Sequence, residues 1–491
     1  MKIYLLFTFF MLSAVFSFGQ RYLTEVFADY SVSTDLVYGS NISVLSGTPA
    51  TETLVMDVYE PVGDMETSRP VILVAHDGEY LPEQTNGLTY GNYRDSAVVE
   101  LCAQFARRGF VAVAYEYRLG WNPSASTQDA RVSTYFNAFY RGVQDGFTVA
   151  RYLRMDAATQ GNTYKIDPNK IVSGGMGTGG QISIAMAFLD KYQEINLPKF
   201  LNPATATSYV DTSLSGDFYG TLTRPLNTAN HTGYISEIQM AFNLGGLVGD
   251  STWIEAGDVP VVSMGVVNDP YTPYDFGALI TPVSGDFMYN ISGEKGIQRR
   301  QYIYGNNGAF SSITFTDPYT QQADVMNGGM DGLYPFNRPG PESAPWMWWD
   351  QATWNIAHPA GGTYNDYGML TNPDMSKAKA LLYLDTVVNY LSPRIVCGLG
   401  LAECSGATIA EIDHTSVQLY PNPVENLLHI TVPNISLGNI SILNTCGEEV
   451  LQVRAVQSDN TIIDLSSVSS GIYFVHVTTD QVSYTEKIVV Q

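Results

Sequence analysis

Residues 171–180 read Ile-Val-Ser-Gly-Gly-Met-Gly-Thr-Gly-Gly. An apolar run enters a cluster of glycines, and a helical pattern leaves it from about Gln181 to Asp190. The arrangement predicts a buried strand, a sharp turn and a helix. The residue at the tip of such a turn sits on strained backbone, of a kind that persists where a side chain must be presented. Here the tip is Gly177. Glycine takes that conformation without a Cβ penalty, but it offers no hydroxyl, thiol or carboxylate.

The same alternation of strand and helix extends outward. Leu54–Pro61 alternates as a strand, and Val71–Ala75 is wholly apolar and runs into His76-Asp77-Gly78. Ser96–Arg108 has helical spacing and stops at Gly109, and Phe110–Tyr115 is the next apolar run. Phe139–Arg154 reads as a helix, Lys170–Ser173 as the strand before the glycine turn, and Met240–Leu247 and Val259–Val267 as two further strands. A last helix, Met375–Leu391, is expected to end at Ser392-Pro393. Apolar strands separated by helices predict the α/β class, with a mostly parallel sheet covered on both faces.

Two stretches break the pattern. Residues 197–236 and 275–350 are rich in Gly, Pro, Tyr and Asn and read as long loop insertions, which in a compact domain are usually covers or binding loops. The second ends in Trp346, Trp348 and Trp349. These tryptophans are open to two readings: an aromatic core under the loop, or a cleft wall facing an apolar or sugar-bearing ligand.

The chain of 491 residues is 45% hydrophobic and 15% charged, so it has ample material for a large core. Its formal net charge of −23 argues against nucleic acid or an anionic membrane as partner. Residues 1–19 have a secretory signal pattern: Lys2, an apolar stretch from Ile3, and small residues near Gly19. No other segment reaches the length of a transmembrane helix. Cys397 and Cys404 flank a short Gly-rich loop and are the disulfide candidates, while Cys102 reads as a buried thiol. No clustered Cys or His suggests a metal site, and nothing points to a cofactor. Residues 401–416 read as a polar linker, and 417–491 as short alternating strands of a small all-β, immunoglobulin-like sandwich.

Two resemblances follow. Leu419-Tyr420-Pro421-Asn422-Pro423, Ile442-Leu443-Asn444 before Gly447, Leu465 through Ser470-Gly471-Ile472-Tyr473, and Lys487-Ile488-Val489 resemble the type A sorting domain of the type IX secretion system of Bacteroidota. That resemblance implies contact with the secretion machinery and a secreted or cell-surface location. Residues 50–395, within a domain of 20–400, resemble secreted esterases and lipases of the α/β-hydrolase fold. The carrying residues are Asp57 to Pro61, His76-Asp77-Gly78, Tyr117-Arg118-Leu119-Gly120, the turn at Gly175–Gly179 and Asn268-Asp269-Pro270. The resemblance puts Gly177 at the nucleophile position, where the family has serine. It makes Asp269 the candidate acid, His358 the candidate histidine, and His76, Asp77, Gly78 and Thr178 the oxyanion region. Asp269 also reads as a plain Asp-Pro turn residue, and His358 as part of a surface loop.

Two carboxylates, Asp77 and Glu79, stand where the family is glycine-rich, and they are expected to oppose an oxyanion. The leading expectation is therefore an esterase-like α/β-hydrolase with serine chemistry absent or weak. The alternative is an extracellular pseudoenzyme that binds a small ester, lipid or glycan. If only the hydroxyl is missing, Gly177→Ser is expected to fold and to create a reactive serine.

Overall fold

The computed structural model describes residues 21–83, 85–86, 88–281, 285–352, 354, 368–406, 418–431, 437–444, 449–453, 458–479 and 483–491. The signal pattern at 1–19, His358 and most of the linker lie outside them.

Ten strands and three labelled helices frame the larger region. They are β1 (Tyr30–Ser43), β2 (Ala50–Pro61), β3 (Arg69–Ala75), α1 (Ser96–Arg107), β4 (Val111–Tyr115), α2 (Gln128–Thr159), β5 (Ile166–Gly175), α3 (Thr178–Phe188), β6 (Met240–Leu244), β7 (Val261–Val266), β8 (Phe276–Ile280), β9 (Phe287–Ser292) and β10 (Leu333–Phe336). Eight of these strands form one sheet in the order β1-β2-β4-β3-β5-β6-β7-β10. β2 runs antiparallel to both its neighbours, and every pair from β4 to β10 is parallel. One early antiparallel strand, a crossing of the third and fourth strands and then a parallel series make the α/β-hydrolase topology. The central strands β3 and β4 are buried along their whole length, as strands covered on both faces must be. Val71, Leu73 and Ala75 face the side of α2 and α3, and Ile72 and Val74 face α1 and the last helix.

Several boundaries differ from the sequence reading. The helix after the turn starts at Thr178 rather than Gln181, because it begins directly at the glycine tip. α2 starts eleven residues before Phe139, where Thr127 caps it by accepting the Ala130 N–H at 3.2 Å. The last helix, Lys377–Gly398, runs through Pro393. An internal proline costs about 3 kcal/mol, but Ile395, Val396 and Cys397 beyond it are buried in the core. Cys397 is also disulfide-bonded to Cys404 on the short turn Ala402–Gly406. The stretch 275–350 is not a structureless loop. It holds the β8–β9 hairpin, helices Glu294–Tyr304 and Pro318–Asp324, and β10. β10 contains Pro335, which an edge position tolerates.

The C-terminal strands are β11 (Gln418–Tyr420), β12 (Leu427–Thr431), β13 (Leu437–Asn444), β14 (Glu449–Val453), β15 (Asn460–Asp464), β16 (Gly471–Thr479) and β17 (Ser483–Val490). They form a three-stranded sheet, β11-β12-β15, and a four-stranded sheet, β14-β13-β16-β17. Both sheets contribute to one apolar core that includes Leu428, Ile430, Ile442, Val475 and Ile488.

Candidate active site

Three loops meet at the C-terminal ends of parallel strands, where open α/β sheets place their crevice. β3 leads into His76-Asp77-Gly78-Glu79, β5 into Met176-Gly177, and β7 into the loop carrying Asp269. The β5–α3 turn is as tight as its glycines predict. A Cβ on Gly175 would lie 2.3 Å from the Gly179 carbonyl carbon, and one on Gly179 would lie 2.2 Å from the Ala75 oxygen. Gly177 has φ 51° and ψ −118°, and its N–H donates to the Leu244 carbonyl at 2.8 Å. The strained tip is intact even though it presents no side chain.

The volume a side chain at 177 would need is already filled. A Cβ there would lie 2.2 Å from Cγ and from both carboxylate oxygens of Asp77. Asp77 Oδ1 accepts hydrogen bonds from the backbone N–H of Gly78 at 2.8 Å and of Thr178 at 3.0 Å, and from the Thr178 hydroxyl at 3.2 Å. Oδ2 has no hydrogen-bond partner among the described residues. The donors that converge on the turn are thus occupied by a carboxylate of the chain itself.

His76 lies behind this point rather than in the opening. It is fully buried, stacks on Tyr117 with ring centroids 4.3 Å apart, and sets Nε2 3.2 Å from Glu116 Oε1. Its Nδ1 contacts the Asp77 carbonyl oxygen. Burial works against its charged form, but Glu116, Asp95 and the Asp77 carbonyl outweigh burial and raise its pKa. Tyr117 ties the layer together, donating to the His76 carbonyl at 3.0 Å and lying 3.2 Å from the Thr178 hydroxyl.

Glu79 and Tyr80 follow with φ of 59° and 54°, left-handed backbone that residues with side chains rarely adopt. Tyr80 is fully buried and donates to the Thr178 carbonyl at 3.1 Å and to Gln181 Oε1 at 3.2 Å. The strain is held by that packing, and it turns Glu79 into the opening. Burial first, then the charges of Asp77 and Asp269, push the Glu79 carboxyl up to about 8. Burial also raises Asp77, against its hydrogen bonds from Thr178 and Gly78 and the charge of His76. Asp269 is raised by burial as well, although its Oδ1 accepts the N–H groups of Tyr271 at 2.7 Å and Thr272 at 3.1 Å. Asp269 is both a turn residue and part of the opening.

The opening is a cavity of about 70 Å³. Asp77, Glu79 and Asp269 line it, with Tyr90, Tyr135 and Trp346 among its aromatic walls, and no Lys, Arg or His lines it among the described residues. Gly177 and Thr178 border it too. Trp348 packs against the core beside the last helix, and Trp349 is buried, so of the three tryptophans only Trp346 borders the cavity. Sequence reading missed Tyr135 and Gln181. Tyr135 donates to Gln181 Oε1 at 2.6 Å, which joins α2 to α3 under the cavity. An earlier start for α2 was the signal that would have found Tyr135.

Residues 418–491 match the secretion system C-terminal sorting domain family. The C-terminal segment is a secretion sorting domain. The sorting domain marks the chain for export by type IX secretion, to the medium or the cell surface. No helix of the described residues is long and apolar enough to cross a membrane. Beta-agarase A of Zobellia galactanivorans is 36% identical over 78 residues, a match covering 16% of this chain and 14% of that relative's length. Among solved structures, Thermogutta terrifontis esterase 2 phosphorylated by paraoxon is 16% identical, covering 70% of this chain and 96% of that one, with a TM-score of 0.35. The native form of that esterase gives 15%, 70%, 92% and 0.36.

Proposed function

We propose that the protein is an exported α/β-hydrolase-fold protein without serine-ester chemistry, whose crevice takes a small uncharged ligand. The observation that carries this reading is the Asp77 carboxylate in the volume of the missing side chain at Gly177, on the N–H donors of Gly78 and Thr178. In this reading Gly177 marks the lost nucleophile position, and Asp269 and His358 keep the positions of acid and histidine. Residues 1–19 are a cleaved signal peptide, 20–400 the hydrolase-fold domain and 401–416 a linker.

Electrostatics supports the same reading. With Asp77 ionised, an ester's tetrahedral intermediate would put a second negative charge beside it. Two like charges about 4 Å apart cost roughly 4 kcal/mol at an effective dielectric near 20, or about three orders of magnitude in rate. Among the described residues the lining carries carboxyl groups and no Lys or Arg, which disfavours carboxylate or phosphate ligands.

The test is direct. Purified mature protein is expected to show no burst with p-nitrophenyl esters and no labelling by a fluorophosphonate probe. Labelling mapped to any serine or threonine around Gly177 overturns the proposal.

A further inference from the structure

The charge that rules out one reaction favours another, because a crevice walled by carboxyl groups stabilises a centre that becomes positive. We propose that Asp77 replaces the missing nucleophile and that, with Glu79 as proton donor, this crevice cleaves a glycosidic bond of a neutral sugar. The inference rests on the absence of serine-ester chemistry proposed above.

The geometry of Asp77 comes first. Its carboxylate stands at the nucleophile's place, and Oδ1 is fixed by two N–H groups and one hydroxyl. Oδ2 carries no hydrogen bond among the described residues, and Asp77 lines the cavity. One oxygen is held and the other is free to form a bond. Acyl transfer gains little from this arrangement, since the donors an oxyanion needs are taken. Displacement at a saturated carbon needs no such donors.

The leaving group is indicated by what else lines the cavity. Among the described residues no cation lines the cavity to receive an anionic leaving group, but Glu79 is a carboxyl that keeps its proton near neutral pH, pushed up to about 8 by burial and by Asp77 and Asp269. Glu79 therefore has a proton to give, while Asp77 offers an oxygen free of hydrogen bonds among the described residues. A leaving oxygen that must be protonated, on a carbon that turns cationic as the bond breaks, describes an acetal of a sugar.

A second, independent feature points to a ligand rich in hydroxyls. Trp346 is 2% exposed and lines the cavity, and its Nε1–H has no hydrogen-bond partner among the described residues. An indole N–H left unpaired at such a wall is a donor awaiting an oxygen. With a volume of about 70 Å³, the cavity admits one end of a ligand rather than a chain.

The reaction balances without a co-reactant other than water. Asp77 Oδ2 forms a bond to the anomeric carbon, the bond to the leaving oxygen breaks, and Glu79 protonates that oxygen to give an alcohol. Water then attacks the same carbon and gives its proton to Glu79, and the bond to Oδ2 breaks. While the sugar is attached, the ester's carbonyl oxygen is Oδ1, which rests on the Gly78 and Thr178 donors. Two displacements retain the anomeric configuration.

The experiment uses the full mature protein and 2,4-dinitrophenyl and p-nitrophenyl glycosides of neutral hexoses and pentoses, with a glucuronide as the anionic control. Turnover of at least one neutral glycoside with retention is expected, with none of the glucuronide. A 2-deoxy-2-fluoro glycosyl fluoride of that sugar is expected to add one sugar mass, mapped to Asp77. Asp77→Asn is expected to abolish both. Glu79→Gln is expected to lose roughly 10²–10⁴-fold on the p-nitrophenyl substrate but little on bond cleavage of the dinitrophenyl one, whose leaving group needs no proton. A merely structural role for Glu79 predicts equal losses, and this comparison holds even if Asp77→Asn fails to fold. Absence of turnover and adduct across the panel, inversion of configuration, or an adduct on another residue overturns the inference. Ester turnover or fluorophosphonate labelling instead overturns the reading it rests on.

Discussion

Asp77 and Gly177 act as a pair, since each occupies space the other would need. The sequence reading expected Gly177→Ser alone to make a reactive serine. In the structure its Cβ would lie 2.2 Å from the Asp77 carboxyl group, so a serine there requires that carboxylate to move off the Gly78 and Thr178 donors. Gly177→Ser is expected to destabilise the fold by about 1–3 kcal/mol from overpacking, and to stay unlabelled by fluorophosphonate. Combining it with Asp77→Gly removes the clash and frees the Gly78 and Thr178 donors, so labelling is expected to appear only in the double variant. A second prediction concerns Glu79. Its folded pKa of about 8 lies above the ordinary 4.5, so the folded chain holds this proton more tightly than the unfolded chain. The stability this gives is full below about 4.5 and is lost as the pH rises through about 8. Melting temperature should therefore fall over that interval, and Glu79→Gln should flatten part of the fall. Asp77 and Asp269 face Glu79 and shift in the same direction, as does Asp95, pushed up to about 8, so part of the slope should remain.

At the scale of elements, α2 is fixed by a buried charge pair. Arg118, after β4, meets Asp145 of α2 at 2.9 Å with both side chains fully buried. Arg118 also donates to the carbonyls of Ile42 and Leu226 and to Gln144 Oε1. Asp145→Ala would leave the guanidinium unpaired in the core, and a loss of about 3–5 kcal/mol is expected in denaturant unfolding. The Cys397–Cys404 disulfide closes a small loop at the end of the last helix. Loop entropy gives about 2.5 kcal/mol for a ring of that size. Reduction should lower the melting temperature without moving the crevice. Both elements were half legible in the sequence. The apolar periodicity of α2 and the last helix located their centres. Their ends were set by the Thr127 cap and by burial beyond Pro393, and helix-stop rules read only the local cost of proline.

For the whole molecule, the sorting domain and the hydrolase-fold region serve different ends. A chain ending at Gly406 is expected to keep the melting transition of the hydrolase-fold region while failing to leave the cell. Fractionation of culture medium, surface and periplasm against full-length protein checks this. Coincident loss of folding would show that the division at the linker is misplaced.

The sequence by itself determined the α/β class, the glycine turn without a nucleophile and the sorting domain. These follow from period-two and helical patterns, from glycine spacing and from short motifs, all of which are local. The tertiary structure alone decided what fills the empty position. Asp77 and Gly177 are a hundred residues apart, and only the parallel pairing of β3 with β5 brings the ends of their strands together. The sequence reading treated Asp77 as a charge set against a neighbouring oxyanion. The fold instead puts its carboxylate in the place of the missing side chain, because the donors of Gly78 and Thr178 converge on one point and a buried acceptor must be satisfied there. The sign of the crevice was decided in the same way: Glu79, Asp269 and Asp77 come from two distant loops, and no Lys, Arg or His lines it among the described residues.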